Sequence, residues 1–233
     1  MMTLVIMVLV VSGALLIGAL WGVYGRLSKP VEGFMIALAG GALLLSLVTE
    51  LIQPARETSG MGLALAGVAA GALVFTVIDW WIDERWGNRS DGGLLAAVTL
   101  DGVPENLALG VALIGAGAPE VAALAGSIFL SNLPEAAGGA KDMVGKGFSR
   151  GKVIAIWSAT ALLLAAAALI GNFVMHDAAP ETLSFIRCFA AGAVVASLAT
   201  EVFPKAYRAE HQWAGLATAL GLGLAFLLGE LGG

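Results

Sequence analysis

Three acidic side chains lie in stretches of sequence that are otherwise largely apolar. Asp101 and Glu105 occur in the string DGVPENLALG, and Glu135 occurs in SNLPEAAGGAKD. A carboxylate near the centre of a bilayer costs on the order of 2.5 to 3.5 kcal/mol on insertion scales, so such residues usually face a cavity and mark a path for ions. Carboxylate oxygens also bind divalent cations. The three acids are therefore the first candidates for a cation site.

The spacing within both strings predicts that their polar side chains share a helix face. Asp101 and Glu105 are four residues apart, as are Ser131 and Glu135, and residues at this spacing are neighbours on a helix surface. A proline precedes each glutamate; it cannot donate a helix hydrogen bond, so it frees a carbonyl oxygen that is itself a potential ligand. The predicted metal ligands at this depth are Asp101, Glu105, Asn106, Ser131, Asn132 and Glu135.

Two further acids extend this cluster towards both membrane faces. With a rise of 1.5 Å per residue, Glu50 lies roughly 26 Å along the second predicted span and Glu201 roughly 28 Å along the seventh. Glu50 is thus expected near the outer face and Glu201 near the inner face. Together with the central acids they form the series of carboxylates expected of a cation path, and both are included among the predicted metal ligands.

The elements that must position these residues are membrane helices. Of the 233 residues, 59% are hydrophobic and 12% are charged, about half the charged fraction of a soluble domain, which excludes an ordinary cytosolic enzyme. Windows of about 20 apolar residues predict an all-α integral membrane protein with one transmembrane domain over residues 1–233. The eight predicted spans cover residues 4–24, 33–52, 61–81, 93–115, 121–141, 153–175, 182–203 and 213–231.

The basic residues predict the orientation of these spans. Ten of the 12 Lys and Arg residues fall in or beside the connections after the first, third, fifth and seventh spans, and one falls in the connections on the opposite side. Short cytoplasmic loops collect positive charge, so both termini are expected to be extracytoplasmic. The net charge of -5 and the absence of a dense basic run argue against a nucleic-acid partner.

These residues resemble the ZIP family of divalent metal transporters, especially its bacterial branch. The family signature in helix four is His-Asn-x-Pro-Glu-Gly, of which Pro104 and Glu105 are retained here. The signature in helix five, His or Gln followed by Asn-x-Pro-Glu-Gly, is matched by Asn132, Pro134 and Glu135. Glu50 before Pro54 and Glu201 before Pro204 are similar to acids that the family often carries in helices two and seven. The resemblance implies an eight-helix ZIP-like bundle with a metal site between helices four and five.

The sequence departs from the family at both central histidines. Asp101 and Ser131 stand in their places, and a long His-rich loop after the third span is absent. Oxygen ligands suit Mn²⁺ or Mg²⁺, with Fe²⁺ intermediate, although carboxylates also bind zinc. The metal is therefore expected to be of the zinc, iron or manganese class, and which of them is preferred stays open.

The leading hypothesis is import of a divalent cation across the inner (plasma) membrane by a multi-pass protein. No resident cofactor is expected, and the partners are the transported metal ion and the lipid bilayer, with a homodimer left open. In the alternative, a protein of the same fold binds metal or a partner without transporting. The acids could also be protonated groups that join helices, although no Lys or Arg is predicted near them. An intramembrane enzyme is disfavoured, because no nucleophile is paired with a base and no histidine lies in a predicted span.

Overall fold

The computed structural model describes residues 2–86, 91–114 and 121–232, which form helices and no strand. Residue 115, where the fourth predicted span ends, and residues 87–90 of a basic loop lie outside the described residues. Eight helical segments, numbered here in chain order, occupy the described ranges. They are α1 (Met2–Tyr24), α2 (Lys29–Ser59), α3 (Met61–Trp86), α4 (Asp91–Ala112), α5 (Ala122–Gly145), α6 (Arg150–Met175), α7 (Pro180–Glu210) and α8 (Gln212–Gly232).

Six of these helices, α1, α2, α3, α6, α7 and α8, are long and apolar enough to cross a membrane. Large apolar side chains point away from the bundle, including Leu9 of α1 (66% exposed), Leu73 of α3 (65%) and Leu162 of α6 (72%). Water would penalise such a surface, whereas lipid does not. The chain is thus an all-helical, multi-pass membrane protein. Eight crossings, with both termini outside, remain a prediction.

Two helices continue beyond the ends of the apolar windows that predict them. Both pass from α-helix into a π turn, at Leu47–Ile52 in α2 and at Leu198–Val202 in α7, and then resume as α-helix through Pro54 or Pro204. The wider turn changes the backbone hydrogen-bond pattern just before the proline, which has no N–H to donate. Gln53 N–H bonds Val48 and Phe203 N–H bonds Leu198, each five residues back. The helices therefore run to residues 59 and 210, rather than to the predicted 52 and 203.

Glycines allow four helices to pack in two very close pairs. In each pair a glycine of either helix faces a backbone carbonyl of the other so closely that a Cβ atom would overlap it. The four glycines are Gly41 (facing Thr218) and Gly221 (facing Leu38) between α2 and α8, and Gly192 (facing Val68) and Gly71 (facing Phe189) between α7 and α3. Small residues at such contacts let membrane helices approach closely, which explains part of the chain's 32 glycines.

These matching contacts belong to an internal repeat. Residues 46–50 read SLVTE and residues 197–201 read SLATE, and both lie at or beside the π turns. The helix α2 packs on α8 as α7 packs on α3, and α1 packs on α5 as α6 packs on α4. The equivalent helices are α1 and α6, α2 and α7, and α3 and α8, which are five apart, and α4 and α5, which are one apart. Because all these separations are odd, equivalent helices run in opposite directions in a chain that reverses direction between successive helices, which is an inverted repeat.

Candidate metal site

The polar strings of α4 and α5 are helical throughout, including their prolines. Pro104 lies inside α4 and Pro134 inside α5, as expected where neighbouring helices cover the freed backbone groups. Asp101 and Glu105 therefore occupy successive turns of one face of α4. Both helices pack against the repeat helices, α4 on α6 and α7 and α5 on α1 and α2, so their polar faces meet inside the bundle.

The three central acids lie near one another. Glu105 interacts electrostatically with both Asp101 and Glu135, and Glu135 also interacts with Asp101. Only 5% of Glu105 is exposed, and its Oε1 accepts no hydrogen bond from the described residues. A buried polar atom without a partner is costly and uncommon in native proteins. The free oxygen of Glu105 is therefore the strongest sign of an unsatisfied ligand in this cluster.

Glu201 joins these acids from α7, at the π turn. Its carboxyl interacts electrostatically with Asp101 and Glu135, and its Oε1 accepts no hydrogen bond from the described residues. The side chain of Ser197, one turn earlier, lies beside the Asp101 carboxyl. The π turn is an irregularity often found at functional sites. The predicted inner acid thus lies in the central group, rather than at a separate station below it.

Asp79 of α3 is a member of this group that the sequence reasoning missed. Its carboxyl is hydrogen-bonded to the carboxyl of Glu201 and interacts electrostatically with Asp101. It lies two residues before the end of the predicted span 61–81, where an acid costs little free energy of membrane insertion. A usable signal was nevertheless present, because Asp79 is the one acid in that span. The site therefore draws on α3 as well as on α4, α5 and α7.

Glu50 does not join the central acids among the described residues. Its Oε1 accepts a hydrogen bond of 3.3 Å from Thr49 Oγ1, and Thr49 is the side chain that interacts with it. Arg187 of α7 donates from Nη2 to the carbonyl of Val111 at 3.2 Å. A metal-ligand role of Glu50 near the outer face thus stays a prediction.

The amides use their N–H groups to hold helices. Asn132, 2% exposed, donates from Nδ2 to the Val11 carbonyl of α1 at 3.3 Å, and Asn106, 1% exposed, donates to the Gly102 carbonyl of its own helix at 2.9 Å. Asn132 thus joins α5 to α1. Its Oδ1 and that of Asn106 remain the atoms suited to a cation, and Ser131 is half-buried.

The acids do not form an assembled metal centre. Within the described ranges, no three His, Cys, Asp or Glu side chains converge as the ligands of one ion. A cation would need either rotation of these side chains or further oxygens from Ser, Asn, backbone carbonyls or water, which hard cations readily accept. The site can collect positive charge, but its ligands are not yet arranged around a centre.

A lysine also approaches the acids, contrary to the expectation that no basic group lies nearby. Lys205 of α7, one turn after Glu201, interacts electrostatically with Glu135, and its Nζ lies 3.5 Å from Glu32 Oε1. The sequence places Lys205 in a connection after the seventh span. Because α7 continues to Glu210, this lysine is instead on a helix and its long side chain reaches the polar group.

Comparisons with known proteins do not add an assignment. Neither a scan against protein-family models nor a search of curated proteins finds a match to this chain.

Proposed function

We propose that this protein carries divalent metal cations of the zinc, iron or manganese class across a membrane, into the cytoplasm. The observation that carries the proposal is the grouping of Asp101, Glu105, Glu135 and Glu201 inside a membrane bundle, with one buried oxygen of Glu105 accepting no hydrogen bond from the described residues. Such a group attracts cations and repels anions. Membrane proteins retain several buried acids at one depth chiefly along ion pathways.

The architecture supports movement of the cation rather than storage. Inverted repeats and interrupted helices are features of secondary transporters, in which one part of the bundle rocks against another around a central site. Here Glu201 lies on a π turn of α7, and the central acids lie on the proline-containing helices α4 and α5. The resemblance of these two helices to ZIP transporters points in the same direction. With the excess of basic residues on one side, it favours eight spans, extracytoplasmic termini and the plasma membrane.

The chemistry implies an exchange of charge during transport. Several carboxylates close together in a low dielectric cannot all be ionised while the site is empty, so protons are shared among them. An arriving dication displaces these protons and is bound by the freed oxygens. Metal entry is then accompanied by proton release.

The test is metal flux into liposomes that contain the purified protein and an internal metal-sensitive dye. Uptake of Zn²⁺, Fe²⁺, Mn²⁺, Cd²⁺ and Mg²⁺ is measured for the parent protein and for the Glu105→Gln, Glu135→Gln and Glu181→Gln variants. Glu181 is an exposed acid in the first turn of α7. We expect saturable uptake, reduced at least about tenfold by the two central changes and unchanged by Glu181→Gln. Wild-type rates in both central variants would overturn the proposal.

A second candidate is metal or partner binding without transport. The finding that favours it is that the described acids do not surround one point, and that Asp79 and Glu201 already bond each other. Equilibrium binding of metal by the protein in detergent, with no flux in liposomes, would support this candidate over the first.

A further inference from the structure

Glu32, in the first turn of α2, is a buried acid outside the candidate metal site. Only 2% of the residue is exposed. Its carboxylate lies against α5 at Gly138, where a Cβ atom would overlap Glu32 Oε1, so the absence of a side chain makes room for it. Lys205 Nζ lies 3.5 Å from Oε1 and Lys29 Nζ lies 3.9 Å from Oε2, which accepts no hydrogen bond from the described residues. One loosely held carboxylate thus touches α2, α5 and α7.

This carboxylate lies one helical turn beyond the central acids. Gly138 follows Glu135 by three residues in α5, and Lys205 follows Glu201 by four residues in α7, so each pair lies on one helix face. Lys205 also interacts electrostatically with Glu135. The ammonium group of Lys205 is therefore within electrostatic reach of Glu135 while it pairs with Glu32.

The end of the bundle around Glu32 is closed. Gly33 of α2 packs so tightly on α7 that a Cβ atom there would overlap Ala209. On the α5 side, Lys141 Nζ donates to the Leu27 carbonyl at 2.6 Å, and Lys29 Nζ lies 3.7 Å from Asp142 Oδ1. These contacts hold α2 against α7 and α5 next to the Glu32 carboxylate.

We propose that Glu32 and Lys205 form a gate at this end of the path, and that Glu32 is the next ligand of a departing divalent cation. The inference rests on the proposed transport function. While the gate is shut, Lys205 supplies the positive charge that Glu32 requires. A dication leaving Glu135 repels the ammonium group, whose side chain is already 42% exposed and can turn outward on its flexible stem. The vacated carboxylate then binds the cation before its release.

Flux through three variants separates a gate from a structural ion pair. Lys205→Ala removes the blocking charge but keeps the exit ligand, and we expect the initial rate of Mn²⁺ or Zn²⁺ uptake to rise about fivefold. Glu32→Gln removes gate and ligand together, and the rate should fall by about the same factor. Lys152→Ala is the control, since this exposed lysine lies at the start of α6 with its Nζ over the Phe148 ring, and it should leave the rate unchanged. The gate would be overturned if Lys205→Ala and Glu32→Gln changed the uptake rate in the same direction and to the same extent, or if neither changed it.

A second measurement does not depend on flux. Ser197, fully buried beside Asp101, is replaced by cysteine in a Cys188→Ala background and labelled with a charged, membrane-impermeant thiol reagent added from the Lys205 side. We expect about fivefold faster labelling with Lys205→Ala, and the parental rate with Lys205→Arg and with Lys152→Ala. Equal labelling in all four proteins overturns the gate. Absence of flux in the parent, with faster labelling of Lys205→Ala, overturns only the transport proposal.

Discussion

The carboxyl groups of Asp79 and Glu201 are hydrogen-bonded to each other across α3 and α7. A carboxylate is only an acceptor, so such a bond requires a proton on one of the two groups. Glu50, at the equivalent position of the other repeat, accepts a hydrogen bond from Thr49 instead. The two halves of the bundle therefore share a backbone plan but differ in the partner of this glutamate.

Asp79→Asn tests whether metal binding displaces this proton. An amide can donate to ionised Glu201 without an added proton, so the bond survives while the exchangeable proton is lost. We expect the variant to release about one proton fewer per Mn²⁺ or Zn²⁺ bound than the parent. Calorimetric titrations in buffers of different ionisation enthalpy measure this number. Identical proton release in both proteins would show that metal binding leaves the pair intact.

Much of the helical architecture can be predicted from the sequence, because each membrane helix needs a run of about 20 apolar residues. The helices α2 and α7 run past the ends of the apolar windows that predict them, through Pro54 and Pro204. A proline removes one N–H, and the π turn before it satisfies the remaining backbone groups. That compensation depends on packing against neighbouring helices and is invisible in a hydropathy window. The similar strings at residues 46–50 and 197–201 are visible in the sequence. Two strings of five residues indicate an internal repeat only when the helix contacts match as well.

The site could be predicted only where residue type and depth were both unusual. Asp101, Glu105 and Glu135 met both conditions, and the structure places them within electrostatic reach of one another. Asp79 met neither strongly, because an acid near the end of a span is common. Lys205 was assigned to a loop, and no sequence rule states which way a long side chain near a membrane surface will extend. The roles of Asp79 and Lys205 depend on which side chains of other helices lie next to them, and the sequence does not give these neighbours.

Glu105→Met separates a functional acid from one that joins helices. The change replaces a buried carboxyl, one oxygen of which accepts no hydrogen bond from the described residues, by an apolar side chain of similar volume. It also removes the electrostatic interaction with Asp101 and Glu135. We expect the free energy of unfolding to rise by about 1 to 3 kcal/mol while metal uptake is lost. Thermal unfolding in detergent, with Glu181→Met as the exposed control, gives the first quantity. A less stable variant would instead mean that Glu105 holds neighbouring helices together.

Gly192→Ala tests the close packing of α7 on α3. The added methyl group overlaps the Val68 carbonyl, and backbone atoms cannot move aside as the end of a flexible side chain can. We expect a loss of about 1 to 3 kcal/mol of stability. Gly223→Ala in α8 is the matched control, because its Cβ would meet no atom within 4 Å. Comparable unfolding temperatures for the two alanine variants would contradict the packing found here.

Asn132 combines a structural and a ligand role at different atoms, and substitution separates them. Its Nδ2 donates to the Val11 carbonyl, whereas its Oδ1 is suited to a cation. Asn132→Asp keeps an oxygen for the metal but loses the donor, so stability should fall by about 0.6 kcal/mol, the average value of an interhelical hydrogen bond in a membrane protein.

The control is Asn172→Asp. Asn172 of α6 makes a similar bond from Nδ2 to the Gly110 carbonyl of α4 at 2.9 Å, outside the candidate site. Both aspartate variants should lose similar stability and retain metal uptake in liposomes. Asn132→Ala should lose the same stability and most of its uptake, because it removes the oxygen as well. Equal uptake by Asn132→Ala and Asn132→Asp would assign Asn132 to helix packing alone, since only the oxygen distinguishes them at the metal.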